Sequence, residues 1–464
     1  MDDFMKKLRE DEFSRLDAGG HVYLDYTGGG LYAESQIRAH TDLLQHAVLG
    51  NPHSSNPSST ASTNNVENAR QRVREFFNAD SEEYEVIFTA NATGSLKLVG
   101  ESYPFQAGSN YVLTADNHNS VNGIREFAFA KGAEVSYISL NDQLMIDDEM
   151  IEQTLITHTS EKPNLFAFPA QSNFTGVKHP LEWIEKAHEL GYDVLLDAAA
   201  FVPTNKLDLS EVKPDFVTIS FYKMFGFPTG VGALIIRREK MNKLVRPWFA
   251  GGTVRFVSAQ NRLHLMQPTG EAFEDGTPNY ISIAGLTTGL NFLSNISIDR
   301  INKHVDKFTG YLLTELGKLK HSNGEPVVLI YGPRTTEKRG GTIACNIIAP
   351  DGSEVDFELV ESRANAENIS LRTGCFCNPG AAEACFRYSL VESYRCFVEV
   401  TPKGFTLQQF STCMNGLPVG AVRISVGIAS NQSDVEQLVA LVKTFIDCDP
   451  SPVTEREVPE IIGG

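Results

Sequence analysis

The chain has 464 residues, 42% apolar and 21% charged, and its 58 acidic against 40 Lys and Arg residues leave a formal charge of −18. That length buries more than one small core, so a large and a smaller domain are expected. The acidic balance argues against nucleic acid or an anionic membrane as the main partner, because both recruit a basic face, and no apolar run is long enough to span a bilayer.

The N-terminal MDDFMKKLREDEF is polar and mixed in charge, without the apolar centre of a signal peptide. Seven cysteines in such a chain read as free thiols in a reducing, cytoplasmic setting rather than as a disulfide framework. From about residue 80, short β-rich runs alternate with helical or loop segments: VIFTA, YVLTA, LFAFP, DVLLD, FVTIS and VGALII. Apolar strands between helices predict an α/β fold with a mostly parallel sheet covered on both faces. Pro180 and Gly191 bracket an amphipathic segment, LEWIEKAHEL, as a helix start and stop. The last run, VGALII, is expected as an added edge or antiparallel strand. After residue 290 a long helical pattern precedes separated strands (VVLIY, TIACNII, AVRISV) and a final helix, which reads as a smaller α+β domain. The expected division is 30–290 for the large domain, 1–29 with 291–448 for the small one, and 449–464 as a flexible acidic tail.

Four features fall just after strands, where α/β folds place their ligands. ANATGSLKLV (90–99) opens a helix, and Thr93 and Gly94 would offer free amides to a phosphate. DNHNS (116–120) carries His118, which could stack on a flat ring. DAAAF (197–201) begins with Asp197 at a strand end. SFYKMFGFPTG (220–230) holds Lys223 among aromatics before a turn, where a partly desolvated amine can form a Schiff base. Singly, each has a plainer reading: two helix caps, a polar loop residue and a solvated lysine. Together, a phosphate seat, an acid and a lysine about 26 residues later form the set that pyridoxal phosphate requires.

A fifth stretch, LRTGCFCNPG (371–380), places an arginine and a Cys-x-Cys pair in one loop. Zinc would need further ligands at matching spacing, and none lie close in sequence, so no metal is expected.

With VYLDYTGGGLY (22–32), NPHSSNPSS (51–59), FAGGTV (249–254) and FEDGT (273–277), these stretches resemble the class V aminotransferase group of fold-type-I pyridoxal-phosphate enzymes. More narrowly, they resemble the cysteine-desulfurase-like domain of molybdenum cofactor sulfurases. The resemblance covers residues 20 to 445 and implies a large domain on a mostly parallel seven-stranded sheet. It implies that Lys223 holds the cofactor covalently, that Asp197 partners its ring nitrogen and that His118 stacks on the ring. It sets Asn173 near the phenolic oxygen, with Thr93, Gly94 and Ser220 on the phosphate. Thr253 would reach a phosphate across a homodimer interface. Arg423, with Arg372 near it, would clamp the carboxylate of L-cysteine or a related sulfur amino acid. Cys377 would be the nucleophile that takes the substrate sulfur as a persulfide, on a mobile loop with Gly374 and Pro379-Gly380 as hinges. Cys375 would assist, or simply point to the other face of the loop.

Three departures bear on function. Molybdenum cofactor sulfurases usually continue into a domain that binds that cofactor, so sulfur delivery there would require a separate acceptor. The segments AAEACFRY (381–388) and ESYRCFVEVTPKGF (392–405) depart from the family pattern and would reshape the acceptor surface. Ala200 stands where desulfurases of the iron–sulfur type often have glutamine. The leading expectation is a cysteine desulfurase. Its rivals are a carbon–sulfur β-lyase or another enzyme on the same scaffold, and a non-catalytic binding module, against which Lys223, Asp197 and His118 speak.

Overall fold

The computed structural model describes residues 3–448; the tail expected at 449–464 lies outside them. Seven strands form the main sheet: β1 (Tyr84–Thr89), β2 (Asn110–Thr114), β3 (Glu134–Ile138), β4 (Asn164–Pro169), β5 (Tyr192–Asp197), β6 (Phe216–Ser220) and β7 (Gly232–Arg237). Their order is β1-β7-β6-β5-β4-β2-β3, and only β7 runs against the rest.

The continuous apolar runs are explained by a core on each face. Alternate residues Val194, Leu196, Val217 and Ile219 join one cluster, while Leu195, Phe216, Leu234 and Ile236 join the other. Val66, Ala69 and Val73 of helix Pro57–Phe76 cover the first face. Leu96, Leu98 and Val99 of helix Ala92–Ser102 cover the second.

The expectation of an edge position for VGALII is corrected. β7 is antiparallel, as one option had it, but it lies inside the sheet, laddered to β1 through Thr89↔Gly232 and to β6 through Ser220↔Gly232. A fully apolar run reports burial of both faces and says nothing about its edges. Gly232 permits the position, since a Cβ there would lie 2.5 Å from the Asn91 backbone.

Four further strands, β8 (Val328–Ile330), β9 (Thr342–Ile347), β10 (Arg372–Gly374) and β11 (Ala421–Ser425), form an antiparallel sheet in the order β8-β9-β11-β10. Helices Ile298–Lys318 and Gln432–Lys443 pack apolar faces into its core. The N-terminal segment joins this half of the chain. Val22–Tyr23 pairs in parallel with Ile369–Ser370, and the buried Arg9 guanidinium meets Asp434 at 2.6 Å.

Cys396 and Cys413 form a disulfide between helices Leu390–Val400 and Leu407–Cys413, which corrects the expectation that every thiol is free. Among the described residues no single helix is long and apolar enough to cross a membrane.

Candidate active site

The C-terminal ends of the parallel strands converge on one cavity of about 140 Å³. Asp197 closes β5 and Ser220 closes β6; His118 follows β2, Asn173 follows β4 and Thr93 follows β1. All five line the cavity with Lys223, Tyr222, Gln171 and Ala200. Strands deliver these groups because each ends buried and its next few residues leave the sheet at the same edge.

Lys223 sits in a one-turn helix, Phe221–Phe225, packed into the core through Phe221, Met224 and Phe225. Burial holds its amine below the usual lysine range; Asp197 opposes this, and Arg423 and Arg372 reinforce it. Gly226 ends the helix at φ +75, and a Cβ there would lie 2.3 Å from the Tyr32 amide. Asp197 is buried and accepts the Ala199 amide at 3.0 Å through one oxygen; a turn and no helix follows it, so the helix-cap reading is corrected. His118 accepts the Ser120 amide at 3.1 Å on Nδ1, which leaves the neutral ring's proton on Nε2. Burial lowers its pKa, as do Lys223 and Arg423, against an opposing pull from Asp197.

The phosphate-seat residues need correction in detail. The Gly94 amide is not free, because the Asn91 side chain accepts it at 2.9 Å as the helix cap. Thr93 shares a 2.8 Å hydrogen bond with the Ser120 hydroxyl, and the Ser220 hydroxyl accepts the Ala92 amide at 3.0 Å. The polar hydroxyls are therefore in place, but one expected donor is spent. Thr253, expected to act across a dimer interface, lines no part of its own chain's cavity. It is fully buried in its own turn, where its hydroxyl donates to the Ala250 carbonyl at 2.9 Å.

Arg423 and Arg372 face each other across β10 and β11. Two guanidiniums so paired would repel, and a residue that sequence reasoning left without a role resolves this. Asp25, in LDYTGGG, bridges both: 3.0 Å to Arg423 and 2.6 Å to Arg372. Arg423 also donates to the Asn173 carbonyl at 2.9 Å, and its buried Nε has no hydrogen-bond partner in the described chain. That open donor suits a carboxylate. Asp25 raises the Arg372 pKa, chiefly by hydrogen bonding, whereas burial lowers that of Arg423. The signal for Asp25 was absent locally, since its partners lie 347 and 398 residues away.

Cys377 is exposed, and its carbonyl accepts the Asn119 amide at 2.7 Å, which seats it beside His118. The loop is not free to swing in this structure. Fully buried Asn378 donates to the Asp116 carbonyl at 2.7 Å and to the Asn173 side chain at 2.9 Å, while Asn173 donates to the Phe376 carbonyl at 2.7 Å. Asn173 is thus tied to the cysteine loop as well as lining the cavity. Gly380 is not a hinge but a close contact, as a Cβ would lie 2.1 Å from the Ala115 carbonyl. Gly374, at φ +102 with open space around it, keeps that option. Cys375 donates to the Val419 carbonyl at 3.0 Å, away from the cavity.

Comparisons follow the same lines. A molybdenum cofactor sulfurase of Solanum lycopersicum is 37% identical over 469 residues, covering 94% of this chain and 57% of that protein. The chain thus spans little more than half the length of the curated relatives it matches. An apo cysteine desulfurase from Thermococcus onnurineus NA1 superposes with a TM-score of 0.77 at 24% identity, covering 95% of this chain and 98% of that one. A cystine C–S lyase in complex with cysteine persulfide superposes at 0.68 and 18% identity, covering 92% and 98%. These structures share the expected fold, a large α/β sheet with a smaller α+β sheet beside it. The sequence pattern of the class-V aminotransferases spans residues 22–438, so the chain belongs to the aminotransferase class-V family.

Proposed function

We propose that this chain is a pyridoxal-phosphate-dependent cysteine desulfurase that takes sulfur from L-cysteine onto Cys377 and releases alanine. The observation that carries the reading is the arrangement around one cavity, a depressed lysine amine, a buried carboxylate and an imidazole, with the exposed Cys377 tied by its carbonyl to the residue after that imidazole. That donor set fits the cofactor. Lys223 would hold it covalently, Asp197 its ring nitrogen, His118 its face, Asn173 its phenolic oxygen, and Thr93 and Ser220 its phosphate. When bound, the cofactor supplies an electron sink for the α-carbon of an amino acid.

The protein's own groups supply the rest. Arg423 orients the substrate carboxylate through its open Nε, with Asp25 holding the guanidinium in place. Lys223, poised below the usual lysine range, moves the α-proton. The Cys377 thiolate attacks the substrate sulfur; the new S–S bond forms as the C–S bond breaks, leaving a persulfide and alanine.

We include in the proposal a homodimer, a separate sulfur acceptor and the domain division 30–290 against 1–29 with 291–448. The Arg9–Asp434 pair supports the division. A cleft of about 450 Å³ lined by Gly94, Lys97 and Trp248 supports the dimer, as it offers room for a neighbouring subunit beside the phosphate end. A cytoplasmic location also belongs here, although the Cys396–Cys413 bond pulls against it, because disulfides are rare in the cytosol.

The test is borohydride reduction of protein purified with the cofactor, peptide mapping, and product analysis with L-cysteine. The cofactor mass on Lys223 with alanine as product supports the reading. An unmodified Lys223, or pyruvate with free sulfide, contradicts it.

A further inference from the structure

Behind the loop that carries Cys377 lies a second group of thiols that the reaction above does not use. Residues 375–378 form a tight turn: the Asn378 amide donates to the Cys375 carbonyl at 3.0 Å, and Phe376 and Cys377 both have positive φ, 54 and 55. The turn breaks the alternation of an extended loop, so the two thiols are not forced to opposite faces. Cys375 is half-buried, within electrostatic reach of Cys377 on one side and of Cys385 on the other. Cys375 and Cys385 both pack against one apolar cluster containing Phe174, Tyr331, Phe376 and Phe386.

Cys385 ends helix Pro379–Cys385 and lines a cavity of about 840 Å³ with Tyr331, Glu354 and Pro418. Tyr331 and Cys385 share both this cavity and the apolar cluster. No residue lining this cavity lines the one at Lys223. Its size suits a small molecule.

We propose that Cys375 and Cys385 form a sulfur relay, in which sulfur on Cys377 passes to Cys375 and then to Cys385, which presents it to a small thiol in the second cavity. The relay rests on the reading that Cys377 acquires a persulfide. In each step the receiving thiolate attacks the outer sulfur. One S–S bond forms as another breaks, the donor leaves as a thiolate, and the proton given up by the receiver returns to the donor. The external thiol then departs as its persulfide, and no oxidant or reductant is consumed. Burial raises the Cys375 thiol and pushes Cys385 further up. Each receiving thiol must therefore give up its proton as it attacks, because the thiolate is the nucleophile.

The experiment is a single turnover of the cofactor-loaded protein with 34S-labelled L-cysteine, quenched by alkylation and mapped by mass spectrometry. Wild type, Cys375→Ser and Cys385→Ser are compared, with 2-mercaptoethanol as the acceptor probe. Label is expected on Cys377 first and on Cys385 later. In Cys375→Ser the Cys385 label falls at least tenfold, and in Cys385→Ser transfer to 2-mercaptoethanol slows severalfold. Label that stays on Cys377 in wild type, or Cys385 label unchanged in Cys375→Ser, overturns the relay alone. Absence of label from Cys377 in wild type overturns the desulfurase reading and the relay with it.

Discussion

Lys223 is surrounded by charge it did not bring: Asp197 favours its protonated form, Arg423 and Arg372 disfavour it, and burial, the largest effect, acts with the arginines. A lysine whose folded pKa lies below its unfolded value binds fewer protons folded than unfolded between the two. Stability therefore rises with pH across that window, up to the ordinary value near 10.4. Lys223→Met removes the titration. The stability gap between this variant and wild type, both without cofactor, is expected to shift in favour of wild type as pH rises toward the ordinary lysine value. Denaturant midpoints at several pH values test this, and a gap that is flat with pH contradicts it. Asp25 makes a second case. Asp25→Asn leaves Arg423 and Arg372 paired across two strands without their carboxylate, and should cost on the order of 2–3 kcal/mol, discounted because Arg372 is half exposed. Urea unfolding reads this, and an unchanged midpoint would mean that the bridge is idle. Lys223, Asp197 and His118 were legible in sequence because each follows its own strand within a few residues. Asp25 was not, since its role exists only once distant segments meet.

At the scale of elements, the cysteine loop depends on Asn378. This residue caps helix Pro379–Cys385 through the Ala381 amide at 3.2 Å and anchors the loop to Asp116 and Asn173. Asn378→Ala should cost about 1–2 kcal/mol and loosen the loop. Alkylation of Cys377 under native conditions is expected to speed up severalfold, whereas an equal rate would mean that the loop is held by other contacts. The sequence's Pro-Gly pair suggested a hinge, yet Gly380 is there because Ala115 leaves no space for a Cβ. Glycine serves freedom and close approach alike, and only the neighbours distinguish them. The strands were legible for a similar reason in reverse. Runs such as DVLLD and FVTIS are buried at every position because both faces are covered, but β7's place inside the sheet depends on partners the run does not encode.

For the molecule as a whole, the hairpin Val254–Ser258 with Leu263–Met266 exposes Phe256, Leu263 and Leu265 on one face. Such a stripe, next to the turn that buries Thr253, is expected to be covered by a second copy of the chain. Leu263→Asp with Leu265→Asp should convert a dimer into monomers in sedimentation velocity. A wild-type monomer, or a dimer untouched by the pair, contradicts the assembly. The two-sheet plan was foreseeable from the change of texture near residue 290. The Cys396–Cys413 bond was not, because an odd cysteine count gives no pairing.

The central claim is that Cys377 takes sulfur from L-cysteine. A single turnover of the cofactor-loaded wild type and of Cys377→Ser, followed for alanine, pyruvate and protein-bound persulfide, tests it most directly. Alanine and a Cys377 persulfide are expected in wild type, and both are expected to be lost in Cys377→Ser. Pyruvate and free sulfide at equal rates in the two proteins would contradict it and leave a carbon–sulfur lyase.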